Sequence, residues 1–108
     1  MYQRSPDTLF KSLGDPTRRR LFEHLCLEGE QTVRALTDRA GISQPAVSKH
    51  LVVLREAGLV KGEQRGRETH YTAHADGLRS LVDWTLRMTR FWETKFDHLD
   101  DLLKRMDQ

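Results

Sequence analysis

The stretch Gly41-Ile42-Ser43-Gln44-Pro45-Ala46-Val47-Ser48-Lys49-His50-Leu51-Val52-Val53-Leu54-Arg55-Glu56-Ala57-Gly58 decides how this chain reads. Ser43 can cap a helix running from Gln44 to about Ala57, because its hydroxyl accepts one of the amide protons a helix leaves unpaired at its start. Gly58 ends it. On a wheel of about 100° per residue, Val47, Leu51 and Leu54 fall within about 60° of one another and form the buried face. Opposite them stand Pro45, Ala46, Ser48, Lys49, Val52 and Val53, with Ser43 and Gln44 at the open N-terminus.

Upstream, Thr32 can cap a shorter helix in which Val33, Leu36 and Ala40 share one side, and Gly41 stops it. Two short helices joined by a tight glycine-containing turn form a helix-turn-helix, here over about residues 32–57. Downstream, Leu59–Glu63 and Thr69–Thr72 can pair as short strands around Gln64-Arg65-Gly66-Arg67, with Gly66 supplying the positive φ of a tight loop. Helix, turn, helix, hairpin is the order of a winged helix, with the wing over about residues 59–73. The expected fold class is therefore mainly α with a small β-hairpin, in a single domain spanning residues 1–108.

The flanks extend this frame. Asp15-Pro16-Thr17 reads as an N-cap followed by proline at the first helical position. The helix it starts carries Leu21, Phe22, Leu25 and Cys26 on one face and ends near Glu28-Gly29. A short helix over about residues 7–13 precedes it. From residue 76 to about 106 the helical period returns: Leu81, Trp84, Met88, Trp92, Phe96, Leu99, Leu103 and Met106 follow in steps of three or four. Such a stripe on a long helix suits a partner surface. The first and last helices are expected to dimerise, with Leu9, Leu81, Trp84, Met88, Trp92, Phe96, Leu99 and Leu103 at the seam.

Composition limits the alternatives. The 108 residues are 37% hydrophobic and 31% charged, with three prolines, as in an ordinary folded domain. No apolar run approaches the roughly 20 residues of a membrane span. The polar start Met1–Pro6 gives no secretion signal, and the lone Cys26 fits a reducing compartment, so a cytoplasmic location is expected. Net charge is only +2, but residues 16–73 hold ten Lys/Arg against seven Asp/Glu, whereas residues 76–108 hold six against seven. The positive excess thus sits on the helix-turn-helix and wing.

In a recognition helix, the N-terminal residues reach base edges in the major groove. Gln44 can bond adenine bidentately, Ala46 can touch a thymine methyl, and Ser48 suits several bases or a phosphate. Lys49 can serve guanine or phosphate. The candidate DNA-binding set on this helix is Ser43, Gln44, Pro45, Ala46, Ser48, Lys49 and His50. His50 lies at the edge of the buried face, where packing and a phosphate contact are both open. A plain amphipathic helix with a polar outer face is the simpler alternative; the small outer residues favour close approach to another surface. On the wing, Arg65 and Arg67 are candidates for a phosphate or the minor groove. Arg18, Arg19 and Arg20 crowd a helix start, where positive charge opposes the macrodipole, and read as a solvated face, with a phosphate contact by one or two of them the alternative.

Taken together, these strings resemble the arsenic-repressor (ArsR) family of bacterial winged-helix regulators. They are Leu13-Gly14-Asp15-Pro16-Thr17-Arg18-Arg19, Gly41 through Leu51, Val53-Leu54-Arg55-Glu56-Ala57-Gly58-Leu59-Val60, and Gly66-Arg67 before Tyr71. The resemblance covers roughly residues 8–106. It implies a homodimer on a palindromic operator of double-stranded DNA and repression by occlusion of polymerase, with the chain's own promoter among the candidate targets.

The family's metal-sensing branch carries a Cys-Val-Cys pair where Thr32, Val33 and Arg34 stand here. A second metal site needs an Asp-x-His pair and then His-x-x-Glu or His-x-x-His on the last helix. Here His98 and Asp101 match part of the second half, but Thr85 and Arg87 occupy the first. Half a site cannot supply the usual four ligands of zinc, so no metal and no cofactor are expected. The last helix is similar instead to a metal-free branch, through Phe91-Trp92 and Leu99-Asp100-Asp101-Leu102-Leu103.

Cys26, one turn after Phe22, reads as a buried structural thiol rather than a redox sensor. His24 reads as solvent-facing, and His70, His74 and His98 form no ligand set. No phosphate loop, nucleophile elbow or carboxylate pair supports an enzyme. Two alternatives to a plain repressor stay open: a winged-helix module that binds protein partners without DNA, and a sensor gated by an effector whose identity is unknown.

Overall fold

The computed structural model describes residues 5–107. Helices α1 (Pro6–Gly14) and α2 (Pro16–Glu28) lead into a two-residue strand β1 (Gln31–Thr32), then α3 (Val33–Ala40) and α4 (Gln44–Glu56). Strands β2 (Val60–Arg65) and β3 (Glu68–Ala73) follow, and a 3₁₀ turn at Ala75–Leu78 opens into the 28-residue α5 (Arg79–Met106).

Each of the first four helices starts on a capping oxygen three residues before the amide it accepts from. Ser5 accepts from Thr8, Asp15 from Arg18, Thr32 from Ala35 and Ser43 from Ala46. These contacts are local, which is why the helix starts follow from sequence. The hairpin differs in detail from the expectation. Its strands run to Arg65 and from Glu68, which pair directly, so the loop is the two residues Gly66-Arg67 rather than four. Gly66 has φ 63° and Arg67 does not enter positive φ, the pattern of a type II′ turn. The sheet also has a third strand: β1 pairs antiparallel with β3, Gln31 opposite Tyr71 and Thr32 opposite His70, giving the order β1-β3-β2.

The core draws on α1 to α4, the turn after α4, β2 and β3. Leu9, Leu21, Phe22, Leu25, Leu36, Val47, Leu51, Leu54, Ala57, Leu59, Val60 and Tyr71 are buried together, and Leu81 packs against them from the first turn of α5. This corrects the placing of Leu9 at a dimer seam: its side chain is fully buried in its own subunit. The exposed apolar residue of α1 is its neighbour Phe10, which meets Trp84 edge-on with ring centroids 5.0 Å apart. α5 itself buries no residue. It carries the molecule to 73 Å in its longest dimension, with a radius of gyration of 19.5 Å, against about 13 Å for a compact globule of this length.

Candidate nucleic-acid interface

α4 is oriented by its apolar side. Val47, Leu51 and Leu54 are fully buried, which turns Gln44, Pro45 and Lys49 outward and leaves Ala46 and Ser48 half-buried. The Ser43 hydroxyl is occupied, accepting from the Ala46 amide at 3.3 Å, so it closes the helix start rather than reaching outward. His50 turns toward the α1–α2 junction, where its Nδ1 lies 3.5 Å from Nη1 of Arg18. Of the seven α4 candidates, Ser43, Gln44, Pro45 and Lys49 are exposed, Ser43 with its hydroxyl already engaged, and His50 sits apart from them.

The sheet brings the wing to this helix. Because β1 pairs with β3 and leads directly into α3, the start of α3, the start of α4 and the wing turn surround one open cleft of about 590 Å³. Gln44 and Ser48 line it from α4, Arg67 from the turn, Glu68 and Thr69 from β3, Thr32 from β1, and Val33 and Arg34 from α3. Of the sequence candidates, Gln44, Ser48 and Arg67 share this cleft, which Arg34, not among the candidates, also lines. The signal for Arg34 was present: a cation in the first turn of a helix is unfavourable unless something negative sits nearby.

Arg65 does not join this cleft. Its guanidinium donates to both carboxylate oxygens of Glu30, at 2.9 and 2.8 Å, and to Glu63 at 3.1 Å. The hydrogen bonds with Glu63 and Glu30 push the arginine's pKa further up, and the bond from Arg65 holds the Glu63 carboxyl below its usual range. His70 stands beside the cluster, 3.6 Å from Glu30 and 3.8 Å from Glu68. Arg65 therefore ties β2 to the loop before β1, while its side chain stays about half exposed.

In the basic run at the start of α2, Arg19 and Arg20 are exposed as expected, but Arg18 is half-buried, and Arg18 and Arg19 hold backbone partners. Arg18 donates through Nε to the Ser12 carbonyl at 2.8 Å and through Nη2 to that of Lys11 at 3.3 Å, and Arg19 donates to Leu13 at 2.7 Å. The two arginines satisfy carbonyls that the end of α1 would otherwise leave unpaired. Cys26 is exposed rather than buried, with its pKa raised by partial desolvation and the nearby Glu23, so it is a poor thiolate. His24 is half-buried rather than solvent-facing, and its Nε2 is shielded without a hydrogen-bond partner among the described residues. Among those residues no three His, Cys, Asp or Glu side chains are grouped to hold a metal ion, and no helix is long and apolar enough to cross a membrane.

Comparison with known proteins identifies the type of molecule. Residues 13–63 match the family described as a helix-turn-helix domain. A Mycobacterium tuberculosis protein, the HTH-type transcriptional regulator Rv2034, is 38% identical over 89 residues, covering 82% of this chain and 79% of that one. In three dimensions an ArsR-like transcriptional regulator from Rhodococcus sp. RHA1 matches with a TM-score of 0.75 and 27% identity, over 90% of this chain and 91% of that one. The chain belongs to the ArsR family of winged helix-turn-helix regulators. Within that family it is also 39% identical over 72 residues to an arsenic resistance transcriptional regulator of Pseudomonas putida. That match takes in 67% of this chain and 56% of the relative's length. In an ArsR-family frame, the cleft between α3, α4 and the wing is the surface formed by the helix-turn-helix and its hairpin together.

Proposed function

We propose that this ArsR-family regulator is a cytoplasmic repressor that binds double-stranded operator DNA as a homodimer. The observation that carries the reading is the shared cleft of Gln44, Ser48 and Arg67, beside an exposed Lys49 that has no ion-pair partner among the described residues. α4 enters the major groove by its N-terminal turn, with Gln44 toward a base edge and Lys49 toward guanine or phosphate. Arg67, at the tip of the wing, meets the flanking backbone or minor groove. His50 positions α4 against Arg18 rather than touching DNA.

Two such helices require two subunits. The exposed stripe of α5 supplies the apolar seam, with Trp92 and Phe96 more than half exposed on one chain. Phe10 and Trp84 extend it at the near end. Dimer half-sites then lie about one turn of DNA apart, about 10 base pairs between centres, in an inverted repeat. Occupying such a site occludes polymerase.

The test is a mobility shift on DNA from around the chain's own gene, with excess unrelated competitor, using the native sequence and a Lys49→Ala/Arg67→Ala double variant. A competitor-resistant complex that the double variant fails to form is the expected result. Equal binding by both would overturn the assignment of α4 and the wing, and no specific complex with either would favour a module that binds protein instead.

A further inference from the structure

Resting on that reading, we propose that Arg34 of α3 and Arg67 of the wing are a phosphate clamp that grips one DNA backbone phosphate from two elements, while Arg65 is a strut that makes no DNA contact. The sequence pairs Arg65 with Arg67 as wing arginines. The structure separates them. Arg65 has three hydrogen bonds to carboxylate oxygens, whereas neither Arg34 nor Arg67 has a hydrogen bond or ion pair among the described residues.

Both free arginines line the cleft that also holds Gln44 and Ser48, so its wall carries two guanidinium groups, a side-chain amide and a hydroxyl. The carboxylate lining it is Glu68, within 3.8 Å of His70 Nε2, which leaves the cleft with an excess of positive charge. The hydroxyls of Thr32 and Thr69 are already used, one accepting from the Ala35 amide and the other donating to Gln64. The donors left over suit an anion with several oxygens.

The position of Arg34 adds an independent reason. It stands in the first turn of an eight-residue helix that has no acidic residue there, so its charge adds to the positive end of the helix dipole. In isolation that is a repulsion. With a phosphate in the cleft, helix end and guanidinium attract the same group. The first helix of a helix-turn-helix crosses the DNA backbone, where a phosphate rather than a base edge is within reach.

Phosphate contacts are independent of sequence, so an arbitrary 30-base-pair duplex serves as the probe. Affinity is measured by fluorescence anisotropy across a salt series for the native chain and for Arg34→Gln, Arg67→Gln, Arg65→Gln and Arg34→Lys, each checked for an unchanged circular dichroism melt. Each lost phosphate contact flattens the slope of log K against log salt by about 0.9, and a dimer doubles this. Arg34→Gln and Arg67→Gln should both show that flattening, Arg34→Lys should keep the native slope, and Arg65→Gln should keep it too. An unchanged slope for Arg34→Gln, or a flattened one for Arg65→Gln, would overturn the clamp while leaving the DNA-binding reading intact. If the native chain binds no duplex at any salt, the function proposed above fails and the clamp with it.

Discussion

Two parts of this molecule treat apolar side chains in opposite ways. From α1 to Leu81, the large ones are buried or partly buried, and only Phe10, Leu27 and Ile42 stand exposed. From Val82 to Met106, eleven are exposed: Val82, Trp84, Leu86, Met88, Phe91, Trp92, Phe96, Leu99, Leu102, Leu103 and Met106. Phe91, Trp92 and Phe96 touch one another, with centroid separations of 5.6 and 6.1 Å, but no other element covers them. The first part is a unit whose core closes within one chain. The second is a helix whose apolar face far exceeds what a soluble monomer leaves in water. On the proposed reading the contrast divides the labour: one part would present Gln44, Lys49 and Arg67, and the other would set how far apart two such surfaces lie.

The contrast can be broken at either end. The largest effect is expected from Leu51→Ala, because a fully buried leucine leaves a cavity in a core built around α4. A loss of about 2–5 kcal/mol in urea unfolding is expected, and a loss below about 1 kcal/mol would mean the core is not closed as described. Next comes the double substitution Trp92→Asp/Phe96→Asp. A symmetric seam meets each change twice, so dimer affinity should fall by at least about a thousandfold, read by sedimentation as a monomer at micromolar concentration. Helix content should survive in the first part, and an unchanged dimer would place the seam elsewhere.

Gly77→Ala probes the joint between the two parts. A Cβ at Gly77 would overlap the Gly58 carbonyl oxygen, where the end of α4 and the 3₁₀ turn approach closely. The backbone must shift, and a cost of about 1–3 kcal/mol in thermal unfolding is expected. A neutral result would show that this approach is not needed.

The smallest effect concerns pH. The Arg18 amide donates to the Asp15 carboxylate at 3.0 Å, and this bond, aided by the charge of Arg18, holds the carboxyl below its usual range. A carboxyl whose folded pKa is depressed adds stability above its unfolded value of about 4, and that stability is lost as pH falls through the lower folded value. The melting temperature of Asp15→Asn should therefore fall less between pH 7 and pH 3 than that of the native chain. Parallel falls would remove Asp15 from the account.

What was legible in the sequence follows the same division between local and distant causes. Helix starts at Asp15, Thr32 and Ser43 were readable because these residues act on amides three residues away. The buried side of α4 was readable from the spacing of Val47, Leu51 and Leu54. Leu9 was misplaced because α1 is nine residues long and apolar at adjacent positions, so spacing cannot say which of Leu9 and Phe10 faces inward. The roles of Arg18, Arg19 and Arg65 depend on where another element ends, and Glu30 lies 35 residues from Arg65. β1 was hidden for a similar reason, since two residues show no alternation and pair with a strand some forty positions on. Arg34 was missed because its neighbours in the cleft come from three elements.

The account's central claim, a homodimer reading DNA through paired α4 helices, is tested most directly by selecting duplexes from a random pool with the intact chain and sequencing those retained. The account predicts enrichment of an inverted repeat whose half-site centres lie about 10 base pairs apart, lost when Gln44 and Lys49 are both changed to Ala. Enrichment of a lone half-site, or of no sequence at all, would contradict it.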